Sequence, residues 1–252
     1  MYRSVELNVQ GKLLRGVVRA PEEGRAFPTV IFFHGFTVDK VGMMRLHELF
    51  ARACVAAGFA CVRFDFYGCG ESDGDFSEMR LSDEINQAEA IYHWTRQQDF
   101  CDPENTFLTG HSMGGLITGI VSARVSPKAA VMWSPAPMVY YDASGRAGAV
   151  PTAYQEIYDI AGLGLHREFL EDARHINAIE ASRGYTGPVL LIHGDQDEKA
   201  PVAAVGFYED LYAPGQLQVR LIRGSNHQFS SLAWMQEVYV AWIAFLKAHV
   251  GA

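Results

Sequence analysis

The sequence predicts an α/β fold, in which a mostly parallel sheet of eight strands carries helices on both faces. Apolar runs of strand length recur along the chain, and from Thr29 onward they alternate with segments whose apolar residues recur at helical intervals. Of the 252 residues, 49% are hydrophobic, which is enough to bury one sizeable core. We therefore expect residues 1–252 to form a single domain with a small insertion.

The predicted strands are mostly bounded by Gly, Pro or Asp, which are typical of turns. They are VELNV, LLRGVVRA, TVIFFHG, ACVRFDF, NTFLTG, AAVMWS, PVLLIHG and QVRLIRG. Only the dipeptide Gln10-Gly11 separates the first two strands, and so short a link predicts an antiparallel hairpin. Later strands are separated by longer, mostly helical segments, which is the connection that parallel strands require.

Four segments have the apolar spacing of helices. They are MMRLHELFARACVAAG, LSDEINQAEAIYHWTRQQ, MGGLITGIVSARV and SLAWMQEVYVAWIAFLKAHV. In sheets built from such units, ligands bind beyond the carboxyl ends of the strands. The loops that directly follow strands are therefore where we expect functional residues.

The segment from about residue 135 to residue 186 interrupts the alternation. It has Gly and Pro breaks, short helical pieces and many aromatic residues, but no convincing strand. It is longer than an ordinary connection between elements. We expect a cap over the sheet, between the sixth and seventh strands; a peripheral decoration without a role is the alternative.

Composition and charge exclude several classes of function. The net charge of -8 comes from scattered acidic residues, whereas nucleic-acid binding needs clustered Lys and Arg. No apolar stretch reaches the roughly 18 residues of a membrane span, and the N-terminus lacks the pattern of a secretion signal. We expect a cytoplasmic protein without a nucleic-acid or membrane partner, and the sequence leaves a homodimer open.

The cysteines give no sign of a metal site. Cys54, Cys61, Cys69 and Cys101 lack both C-x-x-C spacing and a companion histidine pattern. We expect reduced, mostly buried thiols, no metal and no cofactor.

The segment TGHSMGG places Ser112 between glycines, directly after a predicted strand and before a predicted helix. This fits G-x-S-x-G, the nucleophile elbow, in which a sharp strand-to-helix turn exposes a serine. Glycine and serine also mark ordinary turns and helix caps, so the motif alone leaves that interpretation equally open. A nucleophilic serine also needs an acid and then a histidine, in that chain order.

An acid and a base are available after later strands. Asp195 and Asp197 both follow the strand PVLLI; we expect Asp195 to hold the turn and Asp197 to orient the base. His227 lies in the loop after the last predicted strand. Because the unperturbed pKa of histidine is about 6.5, this residue type can accept and return a proton at neutral pH. The other histidines are expected to be packed or exposed residues without a catalytic role.

Attack on a carbonyl also requires donors for the oxyanion. An elbow supplies the amide after the nucleophile, here that of Met113, and the second donor comes from the loop after an earlier strand. That loop begins HGF, so we expect the Phe36 amide to be the second donor and the Phe36 side chain to line the acyl pocket. The alternative is that His34-Gly35 merely ends the strand.

The motifs HGF, DFYGCGESDG, GHSMGG, HGDQDEKAP and GSNH stand in the order and spacing of the α/β-hydrolase superfamily, which the sequence resembles over nearly its whole length. The resemblance implies a serine esterase without a cofactor. It favours Asp197, which Pro201 follows at the family's usual interval, and it implies that the stretch from Asp65 to Ser72 is a structural turn. The HGFT loop and the insertion look most like bacterial cinnamoyl (feruloyl) esterases and related carboxylesterases, and GHSMGG also resembles monoacylglycerol lipases.

The insertion supplies candidates for substrate binding beside Phe36. They are Tyr140, Tyr141, Asp142, Tyr154 and Tyr158. Tyrosine can stack on a phenyl ring and hydrogen-bond its phenolic or methoxy groups, although these tyrosines fit equally well as packing residues.

We therefore expect hydrolysis of a small-molecule carboxylic ester through an acyl-enzyme on Ser112, with aryl or hydroxycinnamoyl esters as the substrates. A thioesterase, amidase, monoacylglycerol lipase or acyltransferase with the same triad remains open, because all of them share the acyl-enzyme. A ligand-binding protein without activity is the alternative of a different class.

Overall fold

The computed structural model of the protein describes residues 1–147 and 156–251. Its strands are β1 (Tyr2–Val9), β2 (Lys12–Arg19), β3 (Phe27–Phe33), β4 (Ala60–Phe64), β5 (Cys101–His111), β6 (Ala130–Trp133), β7 (Ile157–Ile160), β8 (Leu163–His166), β9 (Val189–Gly194) and β10 (Leu217–Ile222). Its α-helices are α1 (Leu46–Ala56), α2 (Leu81–Thr95), α3 (Met113–Val125), α4 (Val139–Ala147), α5 (Arg167–Arg174), α6 (Ala178–Ala181), α7 (Ala204–Leu211) and α8 (Leu232–Ala248).

The eight predicted strands form one sheet, which confirms the predicted fold class. Their order is β1-β2-β4-β3-β5-β6-β9-β10. β2 pairs antiparallel with β1 and β4, and from β4 to β10 all neighbours are parallel. The turn between β1 and β2 has positive φ angles of 54° at Gln10 and 86° at Gly11, a twist that suits a two-residue hairpin.

The sheet is buried on both faces, as expected of parallel strands covered by helices. In β3, Ile31 belongs to the apolar layer beneath α2 and α3, whereas its neighbour Phe32 belongs to the layer beneath α1 and α8. In the second layer, Trp133 of β6 and Trp242 of α8 stack edge to face with ring centroids 5.1 Å apart. These layers fix the carboxyl ends of the parallel strands relative to one another.

Helices α1, α2, α3 and α8 confirm the predicted helical segments, whereas α7 was not predicted. None of the helices in the described ranges is both long and apolar enough to cross a membrane. The four cysteines are buried and unpaired.

The segment between β6 and β9, which we call the insert, contains α4, β7, β8, α5 and α6. β7 and β8 pair antiparallel in a separate two-stranded sheet. The prediction that this segment contains no strand is therefore wrong. The two strands are joined by a turn with positive φ angles at Ala161 and Gly162. Each strand has only four residues, which is too few for an alternating apolar pattern to be recognised in the sequence.

The insert is fastened to the rest of the fold near the start of α2. Ser82 donates from its backbone amide and its hydroxyl to the two carboxylate oxygens of Asp172, at 2.9 and 2.6 Å. Arg80 forms an ion pair with Glu168. Phe169 of α5 is fully buried in the same apolar layer as α2 and α3. The insert is thus held against the start of α2 and against the apolar layer beneath α2 and α3.

Candidate active site

Ser112 lies at a sharp turn between β5 and α3, with φ of 60° and ψ of -122°. The flanking glycines are a steric requirement. A Cβ at Gly110 would lie 2.0 Å from the Gly114 carbonyl oxygen, and one at Gly114 would lie 2.2 Å from the Phe33 carbonyl oxygen. The motif is therefore explained by close backbone approach around a residue in an unfavourable backbone conformation.

Backbone hydrogen bonds hold this turn in place. The Ser112 amide donates to the Trp133 carbonyl at 2.9 Å, and the Ser112 carbonyl accepts from the Ala136 amide at 3.1 Å. Ser112 is therefore attached to β6 and to the start of the insert. Its side chain lines a cavity of about 310 Å³, which we call the Ser112 cavity.

His227 and Asp197 meet at the carboxyl ends of β9 and β10. His227 Nδ1 lies 2.7 Å from Asp197 Oδ2, and the Asp197 side chain is completely buried. Burial alone would raise the pKa of Asp197, but hydrogen bonds from His193 and His227 outweigh it and hold the pKa well below the usual range. Asp197 is therefore an anion that fixes the Nδ1–H tautomer of His227, leaving Nε2 to act as a base.

Asp195 has a different position. Its carboxylate accepts a hydrogen bond from the Gly224 amide at 2.6 Å and so connects the turn after β9 to the turn after β10. Of the two candidate acids, only Asp197 contacts His227.

His227 and Ser112 both line the Ser112 cavity, although their side chains are not hydrogen-bonded to each other. Such contacts between nucleophile and base are often loose until substrate binds. Behind them, His111 Nε2 donates to the His227 carbonyl at 2.9 Å. Burial, reinforced by the nearby His227, lowers the pKa of His111 to about 3, so His111 is neutral near pH 7 and acts as a support.

The backbone amides of Met113 and Phe36, near Ser112, have no acceptor among the described residues. Met113 begins α3, so its amide belongs to the unsatisfied, electropositive end of that helix. Gly35 brings the loop after β3 close, since a Cβ there would lie 2.9 Å from Ser112 Cβ. Within the part of the chain that the structure describes, the two predicted oxyanion donors thus lack an acceptor and lie close to Ser112.

His34 has a role that the sequence did not reveal. Its Nδ1 donates to the Gly35 carbonyl at 2.9 Å, and its Nε2 accepts from the Phe66 amide at 3.1 Å. Burial lowers the pKa of His34, which keeps the ring neutral and able to make both contacts. Because the peptide between Gly35 and Phe36 is planar and trans, a carbonyl held toward His34 turns the Phe36 amide to the opposite side.

Two of the predicted substrate-binding residues line the Ser112 cavity, namely Phe36 and Asp142. The Phe36 ring stacks on Phe169 of the insert, with centroids 5.2 Å apart, and lies 5.4 Å from the Arg146 guanidinium carbon. Arg146 was not predicted. It lines the cavity because it lies one helical turn after Asp142 on α4.

Among the described residues, the structure does not bring Tyr140, Tyr141 or Tyr158 into this cavity. Tyr140 and Tyr141 line a second cavity beyond α4, and Tyr158 of β7 packs against the apolar layer. Tyr154 lies outside the described residues. For Tyr158, and for the buried part of Tyr140, the packing interpretation fits.

In the described ranges, no group of three or more His, Cys, Asp or Glu side chains is arranged to hold a metal ion. The Ser112 cavity brings together a serine at a strained turn and an imidazole oriented by a buried carboxylate, which are the groups that nucleophilic catalysis uses.

A sequence model of the alpha/beta hydrolase family matches residues 30–244. An uncharacterized 31.7 kDa protein from Escherichia coli is 32% identical over 107 residues, which are 41% of this chain and 36% of that protein. The palmitoyl-protein thioesterase ABHD10 of Pongo abelii is 24% identical over 226 residues, covering 83% of this chain and 70% of that protein.

Among solved structures, Est1E from Butyrivibrio proteoclasticus with bound ferulic acid matches with a TM-score of 0.85 and 25% identity, covering 98% of this chain and 100% of that one. The chain spans 36% to 61% of the length of the first curated relatives that it matches.

Proposed function

The chain belongs to the alpha/beta hydrolase family, and on that premise we propose that it is a serine hydrolase that cleaves carboxylic esters. One observation carries the proposal: a buried Asp197 holds His227 in the cavity that contains Ser112, at a turn whose backbone is strained. A protein that only binds ligands has no physical need for this arrangement.

The proposed reaction is a double displacement. Ser112 Oγ attacks the acyl carbonyl while His227 Nε2 takes its proton, and the Phe36 and Met113 amides bind the oxyanion. His227 then protonates the departing alcohol, which leaves an acyl group on Ser112. A water molecule, deprotonated by His227, attacks this acyl group and releases the acid and the free serine.

The substrate that we propose is an aryl ester, and specifically a hydroxycinnamoyl ester. The cavity has apolar walls contributed by Phe36, Ile160 and Leu163, and the Asp142 carboxylate can accept a hydrogen bond from a phenolic hydroxyl. Its volume of about 310 Å³ lies at the lower end of the range for small-molecule sites. The similarity to Est1E, solved with ferulic acid, supports the same class.

The test is hydrolysis of a panel of p-nitrophenyl, alkyl and hydroxycinnamoyl esters by the wild type and by Ser112→Ala. Removing the nucleophile is expected to lower kcat by roughly 10⁵-fold or more, with an unchanged melting temperature. Ser4→Ala changes an exposed serine on β1 and is the matched control, expected to retain the wild-type rate. Turnover by Ser112→Ala at a rate near wild type would refute the assignment.

Two substrates in the panel test the finer proposal, because methyl ferulate has a phenolic hydroxyl that methyl cinnamate lacks. Asp142→Ala is expected to lower kcat/KM for methyl ferulate by about tenfold, as for a hydrogen bond to a charged group, and to change kcat/KM for methyl cinnamate little. An equal effect on both esters would mean that Asp142 does not bind the hydroxyl.

A thioesterase is the second candidate, favoured by the similarity to palmitoyl-protein thioesterase ABHD10. The acyl-enzyme and the triad are the same, and only the leaving atom differs. A matched pair of oxygen and sulfur esters of one acyl group separates the two: a much higher kcat/KM for the sulfur ester would replace the esterase assignment.

A further inference from the structure

The second cavity, which we call the α4–α7 cavity, has a volume of about 600 Å³ and lies between α4, the end of α5, α6 and α7. Among the described residues, it shares no lining residue with the Ser112 cavity. The volume falls within the usual range for small-molecule sites. The proposed reaction at Ser112 does not use it.

The wall of this cavity leaves large apolar side chains open to solvent. Met138 is 46% exposed, Tyr141 65% and Phe207 44%. The rings of Tyr140 and Tyr141 meet edge to face with centroids 5.1 Å apart, and Phe207 lines the cavity from α7. Such a wall offers both ring faces and ring edges to an aromatic ligand.

One guanidinium and one carboxylate line this cavity. Arg174 lines it at the end of α5, and within the described ranges its guanidinium has neither a salt bridge nor a hydrogen bond. The carboxylate that lines the same cavity, Glu180, is engaged by Arg183 through two hydrogen bonds of 3.0 and 2.8 Å. Among the described residues, Arg174 is therefore a planar cation without a counter-ion, which suits a carboxylate.

From this combination we infer that the α4–α7 cavity is a second ligand site and that it binds an aromatic carboxylate. The ring lies against Tyr141 and Phe207, and the carboxylate pairs with Arg174. The inference does not depend on the reaction at Ser112. Aromatic acids are, however, the class of product that the proposed hydrolysis releases.

The experiment is calorimetric titration with cinnamate of the wild type, Tyr141→Ala and Arg174→Gln. Tyr141→Ala is expected to raise Kd by about fivefold, as for the loss of an aromatic pair. Arg174→Gln is expected to raise Kd by about tenfold, as for a charge-assisted hydrogen bond. Both side chains are exposed, so the variants are expected to fold. Cinnamyl alcohol, which lacks the charge, is expected to bind equally weakly to Arg174→Gln and the wild type.

Two exposed residues elsewhere provide matched controls. Arg3→Gln on β1 and Leu232→Ala on α8, where Leu232 is 86% exposed, are expected to leave Kd unchanged. The titration is repeated after Ser112 has been phosphonylated, which fills the Ser112 cavity; persistent binding supports the inference.

Three results would overturn it: no binding of cinnamate, binding unaffected by both substitutions, or binding abolished by phosphonylation. If Ser112 does not react with the phosphonate, the proposed function fails, while the two substitutions still decide whether this site exists.

Discussion

The two carboxylate oxygens of Asp197 have different partners. Oδ2 faces His227, whereas Oδ1 accepts the backbone amides of Lys199 at 2.8 Å and Ala200 at 2.9 Å. The backbone bonds fix the carboxylate, and the fixed carboxylate orients the imidazole. The sequence favours Asp197 over Asp195 as the acid because Asp197 lies farther beyond the end of β9. At that position its carboxylate reaches His227, whereas the carboxylate of Asp195 binds the Gly224 amide.

Asparagine substitutions separate the two acids. Asp197→Asn is expected to lower kcat by about 10⁴-fold, because an amide can hold His227 in the wrong tautomer. Asp195→Asn keeps an oxygen that can accept the Gly224 amide, so we expect kcat to fall by less than about tenfold. Steady-state kinetics and melting temperatures of both variants check this. A larger loss for Asp195→Asn at unchanged stability would exchange their roles.

At the scale of elements, the strand-turn-helix unit of β5 and α3 depends on its approach to β3. A Cβ at Gly114 would lie 2.2 Å from the Phe33 carbonyl oxygen and 2.5 Å from the His34 carbonyl oxygen, which is too close. Both contacts are with backbone, which cannot move aside as a side chain can. α3 therefore packs against β3 only with glycine at this position.

Alanine substitutions at two helical glycines test this. Gly114→Ala is expected to lower Tm by roughly 2–12 °C, because overpacking against backbone typically costs about 1–3 kcal/mol and each kcal/mol shifts Tm by about 2–4 °C in a chain of this size. Gly145→Ala in α4 meets no atom within 4 Å and is expected to leave stability unchanged or to raise it by about 0.5–1 kcal/mol. Calorimetric melting curves give both values. Equal effects at the two sites would show that the approach to β3 is not limiting.

For the whole molecule, Glu84 is one source of pH-dependent stability. This residue of α2 is 1% exposed, and neither carboxylate oxygen has a hydrogen-bond partner among the described residues. Burial raises the pKa of Glu84 well above its usual range. The folded state therefore keeps a proton that the unfolded state loses above a pKa of about 4.3. The stabilisation that comes from this retained proton is complete below that pH, and it is lost as pH rises toward the pKa of Glu84 in the folded state.

Glu84→Gln removes this loss, since an amide does not ionise. The variant is expected to have a higher melting temperature than the wild type at pH 8 and a smaller advantage at pH 5. Glu89→Gln, on the same helix but ion-paired with Arg124, is the matched control and is expected to show no such gain. Denaturation series at the two pH values measure the difference. A gain from Glu84→Gln that is equal at both values would mean that the carboxyl is already ionised in the folded state.

The sequence by itself determined the eight-stranded sheet, the elbow at Ser112, and the loops that carry Asp197 and His227. These follow from periodicity and turn residues, which act over a few neighbours. Only the tertiary structure decided which side chains enter the Ser112 cavity. The rotation of α4 turns Asp142 toward Ser112 and Tyr141 toward the other cavity, and that rotation is set by packing between residues far apart in the chain, as between Phe36 and Arg146. A local pattern carries no information about such contacts.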